Sequence, residues 1–513
     1  MKKTLLLLAL FSIIITQAQS IQWQKPLGGP QFEEGRCIQQ TNDGGYIVAG
    51  YSHSSIGNRN EEAYIVKLNA SGTIEWEKKY GGTGNDFARS IQQTADGGYM
   101  IAGSTTSNDG DVSGNHGGAD YWIVKLDAAG TIAWQKTYGG TSYDKAESIR
   151  QTSDGGYIMV GYAYSNNGDV SGNHGEADIW IVKIDATGTI VWQKSLGGTR
   201  DDFAEKIIQT ADGGYIMAGG TTSNNGDVSG NHSLGLDFWI VKLDGTGTIT
   251  WKKCLGGTDE DFPTSIQQTT DGGYILTGNT GSTNGDVVGN HDIIDNIKTN
   301  DAWVVKLNAT GTIQWQKCLG GTASEDPSSI QQTSDGGYIV AGDTNSNDGD
   351  VSGKHGNTDV WIVKLDVTGN IQWQKCLGGS SHETVYSNQQ TSDGGYIMTG
   401  ITNSTDGDVI GNNGNFDFWT VKLAPVILGL NDNTKSIVKL YPNPAHESLQ
   451  LQTTNPVTAI KITDVTGKIV KEENVKGSSN TIHQINIESL PQGLYILEAY
   501  TGTEKYTEKF LKN

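Results

Sequence analysis

Cysteine is scarce: four residues in 513. Three of them, Cys254, Cys318 and Cys376, share one place just before a Leu-Gly-Gly, where other copies of the same stretch carry Pro26, Lys79, Thr137 or Ser195. A slot that accepts such different residues argues against a disulfide framework. Basic residues are also few, 36 against 57 acidic, for a net charge of −21. That field repels phosphate backbones, so nucleic acid is not an expected partner. From residue 431 to the end there are 9 acidic and 9 basic side chains, so the excess lies upstream. Beyond the first fifteen residues no apolar run approaches the roughly 18 residues of a membrane-spanning helix.

Glycine, in contrast, is abundant, at 70 residues with only 9 prolines and no collagen period. Many tight turns between short strands are expected. The stretch LDAAGTIAWQKTYGG recurs with its tryptophan at Trp23, Trp76, Trp134, Trp192, Trp251, Trp315 and Trp373. An Asp-Gly-Gly turn recurs from Asp43, Asp96, Asp154, Asp212, Asp271, Asp335 and Asp393. A period near 58 residues means one supersecondary unit per repeat, each needing its neighbours to bury its apolar faces. Each unit offers four short runs rich in β-branched and aromatic residues, such as SIQQT, YMIAG, YWIVKL and TIAWQK. The reading is all-β, a seven-bladed β-propeller over residues 21–423. The last unit lacks its tryptophan strand, and IQWQK at Ile21–Lys25 is expected to supply it and close the ring.

The turn before each tryptophan resembles the docking signature of the quinoprotein-like propeller family. In Ile184-Asp185-Ala186-Thr187-Gly188-Thr189-Ile190-Val191-Trp192 the tryptophan comes one residue early. The resemblance implies that the tryptophan packs between blades, that SIQQT lies nearest the channel, and that the long loops share a rim with the LGGTxxD links. It does not bring the dehydrogenase activity of that family, which uses a vicinal cysteine pair; no two cysteines are adjacent here.

The long loop after the second strand carries oxygen-bearing side chains at Asp109, Asp111, Ser113 and Asp120, with Gly114 between. Positions 1, 3, 5 and 12 with glycine at 6 are the ligand order of a Ca²⁺ loop. The count works again from Asn167 (Asp169, Ser171, Asp178), from Asp348 (Asp350, Ser352, Asp359) and in part from Asp406 (Asp408, Asp417). Two readings stand: bound calcium, or successive turns held by side-chain-to-backbone hydrogen bonds. His116, His174, His232, His291 and His355 recur in this loop without a second ligand at metal spacing.

Both ends read as addresses. Residues 1–18 have two lysines, an apolar run and small residues before a cut near Gln19, the pattern of a secretory signal peptide. After a linker at 424–436, residues 437–513 alternate like the strands of a small β-sandwich. They resemble the type A C-terminal sorting domain of the type IX secretion system through Tyr441-Pro442-Asn443-Pro444, Asp464-Val465-Thr466-Gly467-Lys468, Leu490-Pro491-Gln492-Gly493-Leu494-Tyr495 and Lys509-Phe510-Leu511-Lys512. That implies passage through a Gram-negative outer membrane to the cell surface or beyond, with the type IX machinery as partner. No catalytic arrangement stands out among near-identical blades. The expected function is non-enzymatic binding of an extracellular protein or glycan through the acidic loop face; the alternatives are a structural module without a specific ligand, or a propeller hydrolase or oxidoreductase.

Overall fold

The computed structural model describes residues 19–53, 60–233, 235–291, 299–412, 415–425, 439–452, 457–465, 467–475, 482–501 and 504–513. The signal-peptide reading and most of the linker lie outside them. Among the described residues every regular element is a β-strand, and no helix is long and apolar enough to cross a membrane. The chain divides into two compact units, Met1–Val426 and Ile427–Asn513.

The first unit repeats one four-stranded antiparallel sheet. Sheet two has an inner strand Asp86–Gln93, a second strand Tyr99–Thr105, a third strand Asp120–Leu126 and an outer strand Ile132–Tyr138, hydrogen-bonded in that order. Sheets one and three to six repeat it. The seventh four-stranded sheet takes its outer strand from the chain start: Ile21–Leu27 pairs with Asp417–Leu423, with Lys25 opposite Thr420. Each sheet is open, and none closes on itself as a barrel does. Repeated four-stranded sheets of this kind resemble a β-propeller.

The third strands, DYWIVKL and its copies, are buried along their whole length. That is why they read as apolar runs with no alternation. Trp122, Trp180, Trp239, Trp303 and Trp419 lie there with no more than 2% of their surface exposed. The Nε1 groups of Trp122, Trp180, Trp303 and Trp419 donate to the glutamine that follows the outer-strand tryptophan, Gln193 taking Trp180 at 2.8 Å. The one lysine in each run is buried too. Lys125 reaches the turn carboxylate Asp96 at 2.9 Å and the carbonyl of Leu126 at 3.1 Å. The same ion pair ties Lys67 to Asp43, Lys183 to Asp154, Lys242 to Asp212, Lys306 to Asp271, Lys364 to Asp335 and Lys422 to Asp393. A buried ammonium needs such a partner. The Asp-Gly-Gly turn therefore supplies a counter-charge as well as a reversal of direction.

Neighbouring sheets meet through the outer tryptophan. Trp76 lies on Tyr99 of the next sheet with ring centres 5.9 Å apart, and a Cβ on Gly130 of that sheet would come within 3.0 Å of its ring. Trp23 meets Tyr46 and Gly72 of sheet one in the same way. At the end of the inner strands, a turn amide of each sheet donates to an inner-strand glutamine of the next, as Asn42 to Gln93 at 2.8 Å and Ala95 to Gln151 at 2.9 Å. Ser392 of sheet seven donates to Gln40 of sheet one at 2.8 Å.

The second unit has a three-stranded sheet (Lys439–Tyr441, Ser448–Gln452, Ile482–Asn486) and a four-stranded one (Ile469–Asn474, Ala459–Asp464, Gly493–Thr501, Glu504–Lys512). They share a core that includes Leu449, Leu451, Ile460, Ile462, Leu497 and Phe510.

Gln24 of the first strand accepts from Trp419 Nε1, 395 positions away, at 2.6 Å. Gln24→Ala strips a buried donor of its acceptor and is expected to destabilise the repeat unit by about 1–3 kcal/mol. Gln193→Ala, its counterpart in sheet three, is expected to cost the same; urea unfolding that leaves Gln24→Ala unchanged while Gln193→Ala falls would mean that the first strand is not docked.

Candidate functional site

The long loops place the twelve predicted cation ligands in three separate settings. At the first position, Asp109 Oδ1 accepts from Thr83 N at 2.8 Å, Asp348 from Thr322 N at 2.8 Å and Asp406 from Ser380 N at 2.7 Å. At the third, Asp111, Asp169, Asp350 and Asp408 accept from Gly81, Gly139, Gly320 and Gly378 at 3.2–3.4 Å. These carboxylates clamp each loop to the Gly-Gly link that joins two sheets. Ser113 Oγ takes Gln135 Nε2 at 2.6 Å.

The last position points inward. Asp120, Asp178, Asp359 and Asp417 are wholly buried. Asp120 Oδ2 accepts from the His116 amide at 2.9 Å and meets its Nδ1 at 2.7 Å; Asp178 with His174 and Asp359 with His355 do likewise. The recurrent histidines are thus hydrogen-bonded to their own loops. The four positions of the calcium count do not converge on one point, and among the described residues no group of three or more His, Cys, Asp or Glu side chains is placed to hold a metal ion.

Buried carboxylates face one another across five of the junctions. A Cβ on Gly139 would lie 2.6 Å from Asp120 Oδ1 and 2.8 Å from Asp144 Oδ2; Gly197 sits likewise between Asp178 and Asp202, and Gly256 between Asp237 and Asp261. This close approach explains the first glycine of the link. Asp144, Asp202 and Asp261 are wholly buried and take hydroxyl donors such as Ser165 at 2.7 Å. Burial above all pushes these carboxyls up, Asp202 to about 6, and Asp120, Asp144, Asp178, Asp237 and Asp261 in the same direction. The four cysteines are free and three are buried.

A second setting was not singled out in the sequence. In every inner strand the pairing slips by one residue, between Gly35 and Cys37, Ala88 and Ser90, Ala146 and Ser148, Ala204 and Lys206, Pro263 and Ser265, Pro327 and Ser329, and Val385 and Ser387. Such a bulge re-aims one side chain. The residues skipped are Arg36, Arg89, Glu147, Glu205, Thr264, Ser328 and Tyr386, and all seven line one cavity of about 280 Å³. A further cavity of about 210 Å³, beyond the bulges toward the Asp-Gly-Gly turns, is lined by residues of all seven inner strands, with Cys37, Arg150, Lys206 and Asn388 breaking the repeat. Arg36 pairs with Glu34 and stacks over Tyr386 at 4.1 Å. Arg89 lies 3.9 Å from Glu147. Burial and then Glu147 raise the Glu205 carboxyl, while burial and then Arg150 lower Lys206 to about 8. The signal for this site was available: the residue before Ser/Cys/Lys-Ile in each SIQQT copy is the one that changes from blade to blade.

Comparison with known proteins places the C-terminal part of the chain more firmly than the rest. Residues 439–513 match the secretion system C-terminal sorting domain. A tail of this kind belongs to type IX secretion, and it assigns the protein to the cell surface or the exterior. The regulatory protein FlaEY of Caulobacter vibrioides is 25% identical over 369 residues, 62% of this chain; the chain spans 37% of that protein's length. Among solved structures, the WD40 domain of Neurospora crassa Pan2 aligns with 78% of this chain and 91% of its own at 11% identity and a TM-score of 0.43. Puromycin hydrolase aligns over 82% and 58% at 11% identity and 0.43. PorZ, described as a surface component of the type IX secretion system of Porphyromonas gingivalis, aligns over 92% and 69% at 11% identity and 0.30.

The two sets of shifted carboxyls give stability opposite pH slopes. Asp202 titrates at about 6 when folded against about 3.9 unfolded, so its contribution is full below about pH 4 and is lost as pH rises through 6. Asp96 is held at about 2 by the Thr94 hydroxyl, against its burial, and then by Lys125; its contribution is full above about pH 4 and is lost as pH falls through 2. The melting temperature is expected to peak near pH 4–5, with lower values at pH 7 and pH 2. Asp202→Asn is expected to flatten the neutral limb, and an unaltered limb would contradict the assignment.

Proposed function

We propose that the first unit is a closed seven-bladed propeller, sealed by Ile21–Leu27, that works outside the cell as a non-enzymatic binding module and presents its loop rim to a protein or glycan. Closure is supported by the Gln40–Ser392 and Trp23–Tyr46 contacts, which repeat between sheets seven and one what joins the others. Delivery rests on the sorting domain, read here as type A. The loops are stiffened by their own carboxylates, so the rim is a prepared surface, with little ordering left for the moment of binding.

The observation that carries the binding role is aromatic. On sheet three the rim positions hold Tyr143 and Tyr164, 56% and 42% exposed. From Tyr164 rings continue inward to Tyr162, 6.1 Å away, and Phe203, a further 4.9 Å. The same two positions on sheet one hold Phe32 and His53, stacked at 5.1 Å. Large rings on a stiff rim supply contact area at small entropic cost, to sugar faces or to protein hot spots. A hydrolytic channel is the second reading, favoured only by Glu147 and Glu205 at adjacent bulges.

Glycan-array and surface pull-down assays on the full mature chain are expected to return a ligand whose affinity falls by about tenfold or more in Tyr143→Ala/Tyr164→Ala, the usual scale for aromatic anchors. Binding that survives the double substitution would remove the rim from the account. Turnover abolished by Glu205→Gln in a hydrolase screen would favour the second reading.

A further inference from the structure

The cavity ringed by the bulges holds charges of both signs, and their pairing leaves a remainder. Arg36 is taken by Glu34, and the Tyr386 ring lies beneath it. Arg89 faces Glu147. Lys206 follows Glu205 in the chain, and each acts electrostatically on the other. On the wall formed by sheet six, Asp326 and Asp343 stand directly opposite each other across the inner and second strands. The corresponding pair in every other sheet avoids two like charges: Glu34 with Tyr51, Phe87 with Ser104, Lys145 with Tyr162, Phe203 with Gly220, Phe262 with Asn279, Thr384 with Ile401.

Like charges directly opposed across a sheet are destabilising. Asp326 has one neutral donor, Asn279 Nδ2 at 3.0 Å, and no described lysine or arginine is paired with either carboxylate. Both line the cavity beside the Ser328 bulge, whose hydroxyl is engaged by the Val385 carbonyl at 2.6 Å and so is not a donor to them. Two carboxylates on one wall, with no described cation of the cavity paired to them, make a receptor for a positive group brought from outside.

We propose that Asp326 and Asp343 bind an organic cation, an ammonium or guanidinium group on an aliphatic stem, which enters the channel from the loop side. A planar guanidinium can bridge two carboxylates with parallel N–H donors. A hard metal ion suits the wall less well, because it would want six or more oxygens, and among the described residues no group of three or more His, Cys, Asp or Glu side chains is placed to hold one. Burial, and then Asp326, raise the Asp343 carboxyl well above the ordinary range, and a bound cation would draw it back down. The site stands apart from the aromatic rim and does not depend on it.

The test is calorimetric titration of the full mature chain at neutral pH with agmatine, with cadaverine, with an arginine-containing tripeptide and with calcium chloride. One amine or guanidine per chain is expected, weakened by about tenfold or more in Asp343→Asn and in Asp326→Asn. The tripeptide binding more tightly than agmatine would mark a protein side chain as the source of the cation, and the reverse a free amine. Removing one of two opposed carboxylates is also expected to leave the melting temperature unchanged or raised, which separates lost binding from lost folding. Tyr143→Ala/Tyr164→Ala is expected to leave amine binding intact. No heat with any amine, amine binding indifferent to both aspartate substitutions, or calcium binding that those substitutions abolish would each overturn the proposal.

Discussion

An indole lying across a glycine turn of the neighbouring sheet is the contact on which this unit depends. A single four-stranded sheet of this sequence has two apolar faces and cannot bury either alone. The outer tryptophan covers one side of each junction, against the tyrosine that opens the next second strand. Glycine at 72, 130, 247, 311 and 369 is required there by contact as well as by conformation: φ is positive, and a Cβ would strike the ring. Each aromatic pair adds about 0.5–1.5 kcal/mol beyond its buried area, a small amount singly and a substantial one when six junctions repeat it.

Aspartate does three distinct jobs in one repeat, and the burial of each decides which. In the Asp-Gly-Gly turn it is exposed and neutralises a buried lysine, so it stays charged. In the long loop it accepts link amides and fixes the rim to the sheet junction. At the start of the inner and third strands it is wholly buried opposite another carboxylate, and its proton affinity rises. The acidity of the chain is therefore mostly structural, and the net charge by itself says little about a ligand.

Much of this was legible in the sequence. The period, the four strands per repeat and the borrowing of Ile21–Leu27 by the last sheet followed from hydrophobic pattern and turn residues, because a short strand and a tight turn are set locally. The use of the loop carboxylates was not. Spacing left two uses open for Asp109, Asp111, Ser113 and Asp120, one shared cation or successive turns; what it did not show is that the third strand begins at Asp120 and the pleat turns that side chain into the junction. Nor were the bulges visible, since a one-residue slip in pairing depends on the partner strand. Their trace was the variable residue inside an otherwise constant SIQQT frame, a variability that reads as drift until Arg36, Arg89, Glu147, Glu205 and Tyr386 are seen to share a cavity.

Strand Ile21–Leu27 completes the last sheet of the first unit, so that the junction between the seventh and first sheets is made like the others. Hydrogen exchange followed by mass spectrometry on the intact mature chain tests it most directly. Ile21–Leu27 is expected to exchange as slowly as the outer strand Ile190–Leu196, which occupies the same place in sheet three. Exchange of Ile21–Leu27 at the rate of an unpaired segment, with Ile190–Leu196 still protected, would contradict it.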